Sequence, residues 1–208
     1  MATILRDLSY QHQWLYDSIS GLASLAVGGE SRFRRLPLQG LNLPRDSKVL
    51  DLCCGSGQAT GVLVENFADV TGLDASPLSI KRAQKNVPQA SYIEAFAEEM
   101  PIGDRLFDLV HTSAALHEMQ PQQLRQILKE VYRVLKPGGI FTLADFHPPT
   151  NPIFWPGVAI FFWLFETETA WHLLKTNLPE LLTEVGFVVE KSTLYAGGSL
   201  QVIQAKKN

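Results

Sequence analysis

The chain has 208 residues, which favours one domain, and its hydrophobic content of 46% fits a folded domain and excludes a disordered tail. Lysine and arginine number 18 against 21 aspartate and glutamate residues, so the net charge of −3 lacks the basic excess of a dedicated nucleic-acid binder. No apolar run reaches the roughly 18–20 residues that span a bilayer, and charged residues near the N-terminus stand where a signal peptide would be apolar.

The N-terminal segment, residues 1–45, predicts one or two helices packed outside a sheet. Gly28 and Gly29 interrupt this segment, and a basic helix is expected to begin after them, in the sequence ESRFRRL. We therefore interpret this part of the chain as a helical cap.

Between Lys48 and Asp145, short runs rich in β-forming residues alternate with stretches of helical spacing. The predicted strands cover residues 48–53, 69–74, 91–95, 107–113 and 139–146, and the predicted helices cover residues 57–67, 76–86 and 120–136. Pro137-Gly138-Gly139 is expected to end the third helix and turn the chain into the next strand. The strands do not alternate simply between polar and apolar residues, which is typical of strands covered on both faces. Repeated βα units predict a doubly wound α/β fold with a parallel sheet.

The pattern changes after Asp145. Residues 146–171 hold eight aromatic residues, and residues 153–165 are uncharged and mostly apolar. Pro156-Gly157 within this run argues against one regular helix. The run could be an extra core helix, but clustered aromatic side chains also suit a lid or wall over a hydrophobic ligand, which is the interpretation we favour. The tail then predicts a helix at residues 177–186 and strands at residues 187–195 and 199–207.

Cysteine and histidine positions limit the chemistry. Cys53 and Cys54 are neighbours, so we expect neither a disulfide framework nor a zinc site of four cysteines. Free thiols in a folded strand are typical of a reducing compartment, which predicts a cytoplasmic protein. The five histidines show no metal-ligand spacing, and we expect no metal.

A glycine-containing loop, DLCCGSG, joins the first strand to the first helix. Gly55 and Gly57 let a ligand approach the backbone, but Thr60 stands where the dinucleotide fingerprint has its third glycine. Asp51 would repel a pyrophosphate and attract a cation, and S-adenosylmethionine carries a sulfonium and an ammonium against one carboxylate. Asp74 ends the second strand, where it can accept hydrogen bonds from ribose hydroxyls. Each of these residues has a simpler explanation when it is taken alone: the glycines and Asp74 could form turns, and Asp51 could cap a helix or pair with an arginine. These explanations do not account for all of the residues in this order.

Residues 47–146 resemble the class I S-adenosylmethionine-dependent methyltransferases. VLDLCCGSG is similar to the first motif of that family, VTGLDASPLSI to the second, YIEAFAEEMPIGDRLFDLVHTSAALHEM to the third and fourth, and EVYRVLKPGGIFTLADF to the last. The resemblance implies a Rossmann-like doubly wound sheet of seven strands with an antiparallel last strand, formed here by the two tail strands. N-terminal helices and an aromatic lid insertion complete the expected fold.

The two ends of the chain resemble the ubiquinone/menaquinone-biosynthesis C-methyltransferases, through LYDSISGLASLAVGGESRFRRL and NLPELLTEVGFVVEKSTLYAGGSLQVIQAKK. We therefore expect a single methyltransferase domain over residues 1–208. Its expected parts are a helical cap at 1–45, a cofactor-binding core at 46–146, an aromatic lid at 147–175, and a helix with two strands at 176–208.

The resemblance also implies a set of residues for S-adenosyl-L-methionine and its product S-adenosyl-L-homocysteine. These are Asp51, Cys53, Gly55, Gly57, Asp74, Ala75, Phe96, Ala97 and Ser113. The chain departs from the family at two of them, because the family usually has Gly at position 53 and Asp at position 96. The adenine would then rest on apolar contacts and the Ala97 N–H. One lost hydrogen bond costs about 0.5–1.5 kcal/mol, so cofactor binding should survive.

Methyl transfer from a sulfonium requires desolvation, alignment and an approach of about 3–3.5 Å, and a base only where the acceptor must lose a proton. His117 follows the fourth strand, and Asp145 and His147 follow the fifth strand at the same edge. Each of the three could act on the acceptor or could only satisfy a backbone group. His111 lies within the fourth strand and is expected to be packed. The resemblance alone places further residues over the site, namely Tyr10, Tyr16 and Asp17.

These observations predict a methyltransferase for a small hydrophobic, aromatic acceptor, with a quinol or phenol preferred. One alternative is a non-catalytic subunit that binds S-adenosylmethionine, and another is a nicotinamide-dependent oxidoreductase, which Asp51 and Thr60 disfavour. Peripheral contact with a membrane is a further option for the aromatic segment, although flanking lysines and arginines are lacking. No nucleic-acid partner is expected, and the acceptor atom and oligomeric state stay open.

Overall fold

The computed structural model describes residues 27–165 and 167–208. Tyr10, Tyr16, Asp17 and most of the expected N-terminal cap therefore lie outside the described residues. The strands are β1 (Lys48–Leu52), β2 (Asp69–Asp74), β3 (Ser91–Glu94), β4 (Phe107–Ser113), β5 (Leu135–Phe146), β6 (Phe187–Tyr195) and β7 (Leu200–Lys207). The α-helices are α1 (Glu30–Arg35), α2 (Gln58–Asn66), α3 (Pro77–Asn86), α4 (Pro121–Val134), α5 (Trp155–Phe165), α6 (Glu168–Leu173) and α7 (Leu178–Val185).

The strands form one mixed seven-stranded sheet in the order β3-β2-β1-β4-β5-β7-β6. All pairings from β3 to β5 are parallel, and β7 runs antiparallel to both β5 and β6. This arrangement confirms the predicted doubly wound sheet with an antiparallel last strand. It also shows that the last strand lies between β5 and β6 rather than at the edge.

The third predicted helix is shorter than expected. Helix α4 buries one apolar face but ends at Val134, and Leu135 already pairs with Phe107 in the sheet. The prediction that Pro137-Gly138-Gly139 ends this helix was therefore wrong. Proline disfavours the helical conformation of the residue before it, and here the Pro-Gly-Gly segment forms an irregularity inside β5.

The aromatic run forms one helix, so the argument from Pro156-Gly157 was also wrong. Helix α5 begins at Trp155, which places Pro156 in the first turn. The backbone N–H groups of a first turn have no partner within the helix, so a proline there removes no hydrogen bond.

The N-terminal break and basic helix are confirmed at Gly28, Gly29 and α1. Both glycines have positive φ angles, 92° and 100°. Phe33 of α1 belongs to a buried cluster with Ala144 of β5 and Val202 of β7, so the helix is anchored near the carboxyl end of β5. Among residues 27–165 and 167–208, no helix has both the length and the apolar character needed to cross a membrane.

Candidate active site

The loop between β1 and α2 has a left-handed backbone at Cys53, Gly55 and Gly57, with φ angles of 57°, 55° and 91°. A Cβ at Gly57 would lie 3.3 Å from Cγ2 of Val87, a tight contact that adds to the strain of a side chain at this φ angle. A Cβ at Gly55 would meet only Gln58, at 3.8 Å, so the backbone there stays open to a ligand. Cys53 takes the conformation that favours glycine, at a cost of roughly 1–2 kcal/mol.

Asp74, at the end of β2, fastens this loop to the sheet. Its Oδ2 accepts a hydrogen bond from the Gly55 N–H, and its Oδ1 accepts one from the Ser76 N–H, both at 2.9 Å. Each carboxylate oxygen can accept a further bond, so Asp74 can hold the loop and still bind a ribose hydroxyl. Ala75, the next residue, is exposed beside it.

Asp51 is only 1% exposed at the end of β1. Burial raises its pKa from an ordinary value of 3.8 to about 7, while the Thr60 hydrogen bond and the charge of Arg34 act in the opposite direction. The Thr60 hydroxyl donates to Asp51 Oδ2 at 2.6 Å. A cation brought to this carboxyl would favour its ionised form.

Ser113 ends β4 and accepts a hydrogen bond from a buried arginine. Arg34 Nη1 lies 2.9 Å from Ser113 Oγ, and Nη2 of the same guanidinium lies 3.4 Å from a Glu30 carboxylate oxygen. The Arg34 residue is 5% exposed. The edge of the sheet therefore holds a buried cation, and its charge lowers the pKa of the buried Asp51 carboxyl, against the larger effect of burial.

The loop after β3 differs from the family pattern in the way the sequence indicated. The Phe96 residue is 65% exposed, whereas Ala97 is buried and belongs to the central core. An exposed phenyl ring offers an apolar surface and no hydrogen-bond acceptor. This fits an adenine held by apolar contact on that side.

His117 and Asp145 form a buried pair. Nδ1 of His117 lies 2.7 Å from Asp145 Oδ1, and the Leu116 and Ala115 N–H groups donate to Oδ2 at 2.7 and 3.2 Å. The Phe146 N–H also donates to Oδ1, at 2.8 Å. The two Asp145 oxygens already accept bonds from three backbone N–H groups, so Nδ1 is assigned as the donor of this pair, and Nε2 is then the ring atom that can accept a proton.

The other two histidines near these strands have different surroundings. His147 Nδ1 lies 2.9 Å from the Gly198 carbonyl, and its backbone N–H donates to the Ser199 carbonyl, so its described contacts are with the β6–β7 turn rather than with the pair. His111 is fully buried, as predicted, with Nδ1 3.0 Å from Thr142 Oγ1. Burial, and then the charge of Arg34, lower its pKa to about 3, so it is neutral.

An aromatic cluster adjoins the His117–Asp145 pair. The centroid of the Phe146 ring lies 4.6 Å from that of His117 and 4.9 Å from that of Phe162 in α5. Phe162 also contacts Trp171 of α6, at 5.2 Å. The inner face of α5 is therefore connected to the pair, while its outer face exposes Ile160 and Trp163.

Comparison with known proteins agrees with this geometry. A family described as "Methyltransferase domain" matches residues 49–139. A protein of Synechocystis sp. named as an uncharacterized methyltransferase is 59% identical over 208 residues, which are 100% of this chain and 98% of that protein. The chain belongs to the methyltransferase family.

This methyltransferase is also 29% identical to a demethylmenaquinone methyltransferase of Lactobacillus johnsonii, over 88% of the chain and 85% of that protein. Its fold is similar to that of a TehB-like SAM-dependent methyltransferase from Corynebacterium glutamicum, with a TM-score of 0.68, 19% identity, and coverage of 96% and 97%. Family and fold together make S-adenosylmethionine the cofactor. They contradict the alternative of a nicotinamide-dependent oxidoreductase.

The residues at the methyltransferase edge fit that cofactor. The open backbone at Gly55 leaves space for the nucleoside of S-adenosylmethionine, and the carboxylate of Asp74 can accept hydrogen bonds from its ribose. The buried carboxyl of Asp51 suits the positively charged end of the cofactor. Within the described part of the chain, no group of three or more His, Cys, Asp or Glu side chains is placed to hold a metal ion.

Two contributors to the site were missed by sequence reasoning. Thr60 was noted only as a missing glycine, although its place in the first turn of α2 was a signal that its hydroxyl could reach back to β1. Arg34 gave no signal, because the sequence does not say which arginine of α1 points inward.

Proposed function

We propose that this methyltransferase transfers its methyl group to a small hydrophobic acceptor, for which a quinol or a phenol is the preferred choice. The observation that carries the proposal is the buried His117–Asp145 pair beside the aromatic ring of Phe146. An acceptor requires a base only where it must lose a proton, as a ring hydroxyl does. Similarity to a demethylmenaquinone methyltransferase supports an acceptor of the quinone class.

In the proposed reaction, the bound cofactor supplies an electrophilic methyl group on a sulfonium. His117 accepts the proton of an acceptor hydroxyl at Nε2, and Asp145 holds the ring through Nδ1 and stabilises the imidazolium that forms. The deprotonated acceptor attacks the methyl group through oxygen, or through a ring carbon, in which case that carbon then loses its own proton to water and the aromatic ring is restored. The carbon–sulfur bond breaks with its electron pair on sulfur, which leaves as a neutral thioether in S-adenosylhomocysteine.

The first test compares turnover with cofactor affinity in His117→Ala. We expect turnover of a short-chain quinol to fall about 10²- to 10⁴-fold, because a positioned base contributes that much. The dissociation constant of S-adenosylhomocysteine, measured by calorimetry, is expected to change less than about threefold, since His117 packs against Asp145 and Phe146 and is not among the residues expected to bind the cofactor.

The control is His172→Ala, which removes an exposed histidine from α6. Unchanged turnover in His117→Ala would remove His117 from the mechanism. If the wild-type protein binds S-adenosylhomocysteine but methylates no member of a quinol and phenol series, the alternative of a non-catalytic cofactor-binding subunit replaces the proposal.

We propose further that α5 forms a wall of the acceptor site and that its outer face meets a lipid surface, from which a lipophilic acceptor would enter. No charged side chain occurs from Pro148 to Phe165, and large apolar side chains are exposed along this segment. Tryptophan is a residue that favours the boundary between lipid and water. In this proposal the enzyme is cytoplasmic and contacts the membrane peripherally, and His147 stays a candidate for orienting the acceptor.

A further inference from the structure

The turn between β6 and β7 has an unusual backbone. Ala196, Gly197 and Gly198 have φ angles of 51°, 64° and 92°, so three successive residues lie in the left-handed region that side chains disfavour. An L-residue such as Ala196 keeps this conformation only where the surrounding structure holds it, and such residues are concentrated at functional sites. The structure around this turn therefore needs an explanation.

The chain between β5 and α5 is fastened to this turn. We call residues 147–154 the strap, because they lead from the end of β5 to the start of α5. The Gly197 carbonyl accepts hydrogen bonds from the N–H groups of Thr150 and Asn151, at 3.0 and 3.1 Å, and from the Thr150 hydroxyl, at 3.2 Å. The backbone of the strap is thus bound to the turn just before α5 begins.

The strap and the turn approach each other so closely that the turn has no space for side chains. A Cβ at Gly198 would overlap the Thr150 hydroxyl and would lie 2.5 Å from the Thr150 backbone nitrogen, while a Cβ at Gly197 would overlap the ring of Phe154. A side chain can rotate away from such a clash, but a backbone nitrogen moves only with its segment. A side chain at position 198 would therefore displace the strap.

Helix α5 depends on the strap for its position. Among the side chains of α5 that the structure describes, only Phe162 is buried, whereas Ile160 and Trp163 are exposed. The Phe162 ring lies 4.9 Å from the ring of Phe146, which in turn packs on His117. A small aromatic contact and the end that the strap fastens therefore hold the helix beside the proposed acceptor site.

We infer that Gly198 is a positioning residue for the acceptor: it leaves space for the strap, and the strap sets the distance of α5 from the acceptor site. This inference rests on the proposed function, in which α5 forms a wall of that site. A displaced wall loses apolar contact with the acceptor, while the His117–Asp145 pair and the cofactor loops stay in place. The effect of a side chain at position 198 therefore belongs in KM for the acceptor rather than in kcat.

The test is Gly198→Ala, assayed with S-adenosylmethionine and a short-chain quinol. We expect KM for the quinol to rise about tenfold or more, as for the loss of one large apolar contact. Both kcat and the dissociation constant of S-adenosylhomocysteine should change less than about threefold. Hydrogen exchange followed by mass spectrometry should become faster in residues 155–165.

The matched control is Gly40→Ala. Gly40 has a similar φ angle of 83°, but a Cβ there would meet no atom of the described residues within 4 Å. The control thus introduces the same backbone strain without a clash, and we expect it to keep the wild-type KM and the wild-type exchange in α5. A rise of KM in Gly40→Ala equal to that in Gly198→Ala would overturn the inference, because strain alone would then explain the effect.

Hydrogen exchange requires no acceptor, so it separates this inference from the proposed function. Unchanged exchange of α5 in Gly198→Ala would overturn the inference even if the quinol is a substrate. Faster exchange with an unchanged KM would also overturn it, since α5 would then not bound the acceptor site, whereas the role of His117 is decided by its own variant. If the wild-type protein methylates no quinol or phenol, the proposed function fails, and with it the effect on KM.

A second variant keeps the test decisive if Gly198→Ala does not fold. Phe154→Ala removes the ring that covers Gly197 and adds no backbone strain, so KM should rise several-fold at a melting temperature close to that of the wild type. Leu106→Ala is its control, because Leu106 is similarly exposed, 43% against 41%, and precedes β4 at the opposite edge of the sheet from the site. Equal KM values in these two variants would overturn the inference.

Discussion

Asp51 is almost completely buried, and its carboxyl accepts a hydrogen bond from the Thr60 hydroxyl. Because burial changes the pKa of this carboxyl, the free energy of unfolding depends on pH. Burial raises its pKa to about 7 in the folded protein, against 3.8 as the ordinary value. Between about pH 4 and pH 7 the folded state therefore holds a proton that the unfolded state has lost. The free energy of unfolding falls as pH rises through this range, by at most about 4 kcal/mol from this group.

We predict that Asp51→Asn removes this contribution. The free energy of unfolding of the wild type, from urea denaturation, should fall more steeply between pH 5 and pH 8 than that of the variant. Asp69→Asn is the control, because Asp69 is a half-exposed partner of Lys48 and should leave the slope as in the wild type. Identical slopes for wild type and Asp51→Asn would show that Asp51 is not the group responsible.

The residues of the site differ in how far the sequence could predict them. Gly55, Asp51 and Asp74 follow from spacing, because the ends of parallel strands meet at one edge of the sheet. The direct bond between His117 and Asp145 required the three-dimensional structure, although sequence reasoning placed both at that edge. Arg34 depended on how a short helix packs, which local pattern does not determine.

The loop that follows β3 is tied to α4 by one arginine. Arg133 donates to the carbonyls of Ile102 and Met100 and to the carboxylates of Asp104 and Glu130. Its hydrogen bond holds the pKa of Glu130 below the ordinary value. The network joins an element of the core to the segment that also carries Phe96.

We predict that Arg133→Met lowers the free energy of unfolding by about 1–3 kcal/mol, because two partly buried carbonyls lose their charged donor. Urea denaturation at neutral pH measures the change. Arg125→Met, which breaks the exposed pair with Glu184, is the matched control and should cost less than about 1 kcal/mol. An equal loss of unfolding free energy in the two variants would show that the Arg133 network stabilises the protein no more than the exposed Arg125–Glu184 pair does.

Helix α5 supplies a prediction that tests the proposed lipid contact. The double variant Ile160→Ser/Trp163→Ser removes two exposed apolar side chains, of which Trp163 is 74% exposed. Each large apolar side chain withdrawn from water contributes about 1.5–3 kcal/mol, so binding to phosphatidylcholine vesicles should weaken at least about tenfold in a sedimentation assay.

The control for this experiment lies elsewhere on the surface. Val188→Ser/Leu194→Ser removes two exposed apolar side chains from β6 and should leave vesicle binding unchanged. If the α5 variant sediments with vesicles as the wild type does, its outer face has another role, such as contact with a second copy of the chain or with the N-terminal segment.

At the scale of the whole molecule, the sequence predicted the parallel part of the sheet well. Helices α2, α3 and α4 follow β1, β2 and β4, and each of these units leaves its own local pattern. The two wrong predictions both involved proline. Pro137 disfavours a helical conformation of the residue before it, whereas Pro156 lies in the first turn of α5, where its missing N–H removes no hydrogen bond. The antiparallel direction of the last strand came from the family resemblance, whereas its place between β5 and β6 came from the structure, because local pattern determines neither.

That order has a consequence for assembly. Strand β6 is hydrogen-bonded to the sheet through β7, and β7 pairs with β5 along residues 140–146. A chain that has formed β1 to β5 therefore presents β5 as an open edge until the β6–β7 hairpin docks. An unpaired edge is a template for a strand from another molecule, so the time that the hairpin needs to dock sets the interval in which domain swapping or aggregation competes with completion of the sheet.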